Sequence, residues 1–201
     1  MASVTCVRWM LAGLLLCAGV SMAAEQANPA VEAHGASDAN VPGWTISTTA
    51  PTGWTKDCCT YASAIGVNYV LYQGEWTGKP NRVMVLNVWP SKLPTLDAEL
   101  QDDRKHYLQL DPAGKVASLP VNNPHMPCRG VLYSGSDHTD DAIVFCDPGK
   151  VAGIRYSWSV AIGATDPMRQ QLLKLFKEVA EHSSYATFVP PSHSTGKPAA
   201  H

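Results

Sequence analysis

The chain has 201 residues, 45% of them hydrophobic and 16% charged, and 15 Lys and Arg against 17 Asp and Glu leave a formal charge of -2. A binder of polyanions needs a basic excess to displace counterions, and this chain has none. Aromatic residues at 8% with mixed polarity exclude a wholly disordered chain, a collagen and a highly charged coiled coil, and leave a single globular domain.

Residues 1–24 read as a secretory signal peptide: Arg8, an apolar stretch from Met10 to Val20, then the small residues Ser21, Ala23 and Ala24 before the expected cut. An apolar run of about a dozen residues is shorter than the roughly 20 that a spanning helix needs, so no stable membrane anchor is expected. Leu16 before Cys17 does not suit lipid attachment. Removing the segment takes Arg8 and no acidic residue, so the mature chain is slightly more acidic, and it leaves Cys58, Cys59, Cys128 and Cys146.

Residues 25–43 carry Ala, Asn, Pro, Gly and Asp without apolar periodicity and read as a flexible leader; residues 186–201, with Pro190, Pro191 and Pro198, read as a disordered tail. The single domain is placed at 44–185, long enough to bury a sizeable core. It opens with the alternating Trp44-Thr45-Ile46-Ser47-Thr48 and, after Pro51-Thr52-Gly53, a second extended stretch to Thr60, read as a short edge hairpin. Val67–Tyr72 and Arg82–Trp89, rich in β-branched and aromatic residues, flank a turn and predict a second hairpin. Between Pro94 and Leu110 the period changes, with Leu96, Leu100, Tyr107 and Leu110 on one helical face.

Strands return at Val116–Val121, Gly130–Ser134, Ala142–Cys146 and Ile154–Ile162. In the last, Ile154, Tyr156, Trp158, Val160 and Ile162 share one face while Arg155, Ser157, Ser159 and Ala161 share the other, which predicts one covered face and one wet or lightly covered face. Asp166-Pro167 signals the start of a terminal helix with Met168, Leu172, Leu175, Phe176 and Val179 as its apolar stripe. The fold class is α+β: an antiparallel sheet with N-terminal hairpins, one mid-chain helix and one C-terminal helix packed on the sheet.

An even cysteine count in an oxidising compartment predicts disulfides, each stabilising by roughly 2–4 kcal/mol. A bond between Cys58 and Cys59 closes a strained eight-membered ring, which favours crossed pairings; against that, Cys128 and Cys146 face each other if their strands form a hairpin. Connectivity stays open at this level.

The opening Gly43-Trp44-Thr45-Ile46 strand with its Pro51-Thr52-Gly53-Trp54 turn, the mid-chain helix, the long strand from Gly153 to Ile162 and the terminal helix carrying Leu175-Phe176 resemble, by order of elements, the PsbP/Mog1-like family of small α+β domains. The resemblance implies a binding or assembly scaffold without a shared catalytic centre.

Few motifs carry chemistry. Ser134–Asp141 holds Asp137, His138, Asp140 and Asp141, oxygen-rich but without the spacing of a calcium loop, and reads as a solvated hairpin tip. His125 with Cys128 supplies half of a zinc set without CxxC or HExxH to complete it. Cys58 or Cys59 with His106 or His125 is the pairing a thiol hydrolase would use. There is no Gly-x-Ser-x-Gly elbow and no phosphate-cradling glycine loop, and Asp147-Pro148-Gly149-Lys150 reads as a turn. Trp76, in a turn-rich segment, either anchors a partner or folds back on the sheet. The expectation is an exported, periplasmic or secreted, non-catalytic domain that binds a protein partner through Trp76 and Lys79 or through Asp137, His138, Asp140 and Asp141. An immunity or inhibitor protein and an assembly factor are two forms of it. No cofactor, metal or nucleic acid is expected. The alternative is a periplasmic hydrolase with a cysteine or metal centre.

Overall fold

The structure is a computed structural model that describes residues 30–39, 41–76, 80 and 82–190; the expected signal peptide lies outside them. The strands and helices follow in chain order as β1 (Ala30–Gly35), β2 (Trp44–Thr49), β3 (Trp54–Asp57), α1 (Tyr61–Ala64), β4 (Tyr69–Gln73), β5 (Arg82–Pro90) and α2 (Leu96–Leu110). They continue as β6 (Lys115–Leu119), β7 (Cys128–Ser134), β8 (Thr139–Cys146), β9 (Ile154–Gly163), α3 (Arg169–Glu181) and β10 (Ser184–Thr187). Two antiparallel sheets result: three strands in the order β1-β2-β10, and seven in the order β3-β4-β5-β9-β8-β7-β6. The fold is α+β.

Alternation within the seven-stranded sheet builds the main core on one face. Leu71, Met84, Leu86, Ala142, Val144, Tyr156, Trp158 and Val160 point to that side and meet Val31, Ala33 and Ile46 of the small sheet and Leu172, Phe176 and Val179 of α3. The indole nitrogen of Trp158 in this core donates to Ser183 Oγ at 2.9 Å, and Ser183 in turn donates to the Val179 carbonyl at 2.9 Å, so burial leaves neither polar group stranded. The opposite face carries α2 over β7 and β8, with Leu96, Val131, Tyr133 and Phe145 at its centre, and α1 over β4, with Ala62, Val70 and Tyr72.

Three expectations are corrected. The leader at 25–43 contains β1, because Val31 and Ala33 alternate inward and pair the segment along β2, a pattern of two small apolar residues that composition hides. The tail expected from residue 186 begins inside β10, which pairs with the other side of β2. β2 is therefore the middle of the small sheet and forms no hairpin with β3, which joins β4 at the far edge of the large one. The terminal helix starts at Arg169, and Asp166 accepts from the Met168 amide at 2.7 Å in the turn before it.

Candidate functional site

Strand register defines a floor. Val85, Ser159, Ile143 and Val131 lie directly opposite one another across β5, β9, β8 and β7. Tyr133, Asp141 and Ala161 form the neighbouring row. Directly opposed residues share a face, and this face is the one turned to α1 and α2. Along central β9 this face carries the small residues Ser157, Ser159 and Ala161 beyond Arg155, so the sheet dips between α2 on one side and α1 on the other. The resulting groove has a volume of about 480 Å³, with Ser159 and Ala161 in its floor, within the range of ligand pockets. It adjoins a second hollow of about 400 Å³ that shares Asp103, His106, Ile143 and Ser159 and continues to Asn87 and Asp102, so the two together run along α2.

One wall is aromatic. Trp76 stacks on Tyr61 with ring centroids 4.6 Å apart and stands edge-on to Tyr72 at 5.3 Å. The other wall is α2, whose Tyr107 stacks on Tyr133 at 4.2 Å. The Tyr107 hydroxyl is buried over Gly114, where an added Cβ would lie 2.8 Å from it, and finds no hydrogen-bond partner among the described residues. Tyr133 Oη donates to Asp103 Oδ2 at 2.5 Å.

α2 is fixed by a buried charge cluster. Arg155, 2% exposed, faces α2 from β9 and pairs with Glu99 of that helix and, at 3.3 Å, with Asp147. Glu99 also accepts from Trp89 Nε1 at 2.7 Å. Thr95 caps the helix, taking the Ala98 amide at 3.0 Å.

Two acids in the groove, Asp103 and Asp141, enter no ion pair with lysine or arginine among the described residues. Burial pushes the Asp103 carboxyl above its ordinary range, against the opposing pull of the Tyr133 hydrogen bond and of His106. Burial, and then repulsion from Asp137 and Asp140, likewise raises Asp141. Burial and the bond to Asp103 drive the Tyr133 hydroxyl far upward, so it stays a donor at any ordinary pH. Neither Asp103 nor Asp141 enters an ion pair among the described residues, whereas Asp97, Glu99, Asp140, Asp147 and Asp166 each have an arginine.

The residues singled out in the sequence are partly brought together. Trp76 and Asp141 line the same groove. Trp76 folds back on the sheet and is half-buried there. Asp140, one position along the strand, points to the opposite face, is 4% exposed and takes Arg169 Nε at 2.6 Å. The period of two in β8 thus divides the acidic run. Asp137 and His138 stay in the β7–β8 turn, where Asp137 accepts from the Thr139 amide at 2.9 Å and His138 holds a left-handed φ of 65°. Lys79 lies outside the described residues.

Cys128 and Cys146 are register partners and form a disulfide with Cα atoms 4.2 Å apart; Cys58 and Cys59 bond to each other where the chain leaves β3 for α1. The expected preference for crossed pairings is thereby corrected, since hairpin register commits Cys128 to Cys146. With these bonds formed, the cysteine-centred alternative has no thiol at Cys58, Cys59 or Cys128. Among the described residues no three His, Cys, Asp or Glu side chains converge as a metal set. Sequence reasoning missed Asp103, Tyr107 and Tyr133, although the small residues facing outward on β9 marked the floor.

Fold and groove together define an α+β domain whose large sheet is covered on one face and half-covered on the other. No protein-family model matches the chain, and no curated protein matches it. Among solved structures it is similar to the solution structure of cyanobacterial PsbP from Synechocystis, at 13% identity and a TM-score of 0.48, over 86% of this chain and 97% of that one. That likeness concerns the course of the backbone and carries nothing about the groove. Among the described residues no helix is long and apolar enough to cross a membrane.

Proposed function

We propose that the protein is a non-catalytic binding domain of the bacterial envelope, exported to the periplasm or beyond, and that it docks a protein partner at the groove. One observation carries this reading: the half-covered sheet face, with a floor of Ser159 and Ala161 between an aromatic wall at Trp76 and the face of α2. Rigid aromatic anchors beside an apolar hollow are where binding energy concentrates. Export is supported by the N-terminal signal pattern and by the two disulfides, which persist in oxidising compartments. An immunity, inhibitor or assembly role would use the same end of the sheet, where the exposed Asp137-His138 turn adjoins Asp141.

Capture from envelope extracts tests the reading. Immobilised mature protein retains a discrete partner, while Trp76→Ala, which removes the wall, and Ala161→Trp, which fills the floor, both lose it with their circular dichroism unchanged. Capture that survives both substitutions overturns the placement.

A further inference from the structure

The groove combines apolar walls, an aromatic ring and acids without an ion pair among the described residues, so its contents bear on what it receives. Among the described residues lining it, Asp103 and Asp141 are the acids, His106 is the one titratable base, and no lysine or arginine is present. The adjoining hollow adds Asp102 and Glu99, the latter already committed to Arg155. Asp97, Glu99, Asp140, Asp147 and Asp166 each have an arginine among the described residues; these two do not, and Asp141 sits in the floor row next to Ala161 rather than on a solvated loop. Leaving partly desolvated carboxylates unpaired is costly, and both are held above the ordinary carboxylate range largely by that burial. A cation arriving in the groove relieves the cost. Trp76, which lines the groove, adds a second attraction for a cation, because an aromatic face is the negative pole of its quadrupole.

We infer that the groove receives a basic side chain, lysine or arginine, carried on an apolar segment of the partner, with Asp103 and Asp141 as its counter-ions and Val83, Val85 and Ile143 accepting the flanking apolar groups. The inference rests on the groove being the docking site. Its elongation along α2 suits a stretch of chain better than a compact free amine, and a lysine stem can lie on apolar surface while its ammonium reaches a carboxylate.

The test uses the mature protein with a capped lysine peptide flanked by apolar residues, the same peptide with norleucine or glutamate in place of lysine, and phenylbutylamine as a free amine. Binding is followed by tryptophan indole N–H shifts in two-dimensional NMR. The lysine peptide is expected to shift the Trp76 signal and to bind about tenfold more tightly than the norleucine peptide, the size of one charge-assisted contact. In Asp141→Asn and Asp103→Asn the ratio falls to within about twofold, while norleucine-peptide binding persists. Equal binding of the lysine and norleucine peptides overturns the charge assignment and leaves the docking groove standing. Binding of phenylbutylamine with no peptide binding overturns the partner side chain in favour of a free amine. No binding by any probe overturns the inference and the docking site together.

Discussion

Replacing Arg155 with methionine removes the clamp that holds one wall of the groove. The guanidinium is 2% exposed and bridges Glu99, whose side chain is 15% exposed, and Asp147, at 23%. Methionine keeps much of the packing and strands both carboxylates without a counter-charge. Breaking a buried pair in this way costs about 3–5 kcal/mol, and the partial exposure of the two acids places the loss near the lower end, about 3 kcal/mol. With a urea m-value of about 1–3 kcal/mol/M for a domain of this size, the unfolding midpoint falls by about 1–3 M. Glu99 keeps its Trp89 indole donor, so the helix is loosened rather than released, and hydrogen exchange should rise first in the amides of α2. Adding Glu99→Gln to Arg155→Met restores part of the loss by removing one stranded charge. A loss below about 1 kcal/mol, or no recovery in the double variant, would refute the argument that the cluster fixes α2.

The raised carboxyls give a pH signature. A group whose folded value lies above its unfolded one contributes its stability fully below the unfolded value, about 3.9 for Asp, and loses it as pH rises through the folded value. Asp141→Asn should therefore be more stable than the parent at neutral pH, with the difference vanishing below about pH 4; an unchanged or lower melting temperature at pH 7 contradicts the uncompensated charge. The two disulfides should open in a fixed order: Cys58 and Cys59 are exposed, whereas Cys128 and Cys146 are 8% and 0% exposed. Mass spectrometry after mild reduction and alkylation should label the adjacent pair first, and early labelling of Cys146 would show that the hairpin opens more readily than its burial allows.

Much of the fold was legible because it depends on long periodic segments. The β4–β5 hairpin, α2 and the alternation of β9 follow from residues whose spacing admits one reading, and β9 also disclosed the lightly covered face on which the groove lies. β1 was not legible, since Val31 and Ala33 are its only inward residues and their value comes from pairing with β2 and from the core they reach. Nor did the β2 and β3 segments announce different sheets, because a turn signal at Pro51–Gly53 says that the chain reverses and not what it pairs with. Of the site, Trp76 and Asp141 stood out as residue types in a turn and an acidic run. Asp103 did not, because its role depends on Tyr133, which the fold brings to α2 from 30 positions further along the chain. The disulfide pattern was undecided for a similar reason: it follows from strand register, and sequence alone gave two competing arguments about it.

Site-specific photo-crosslinking in cells tests the docking groove most directly. A benzoylphenylalanine in place of Leu110, 74% exposed at the rim of the groove, reaches a docked partner without filling the floor, and one in place of Val151, fully exposed and absent from the groove lining, serves as control. Docking at the groove gives a discrete higher-mass adduct from position 110 and none from 151; an adduct from 151 with none from 110 contradicts it.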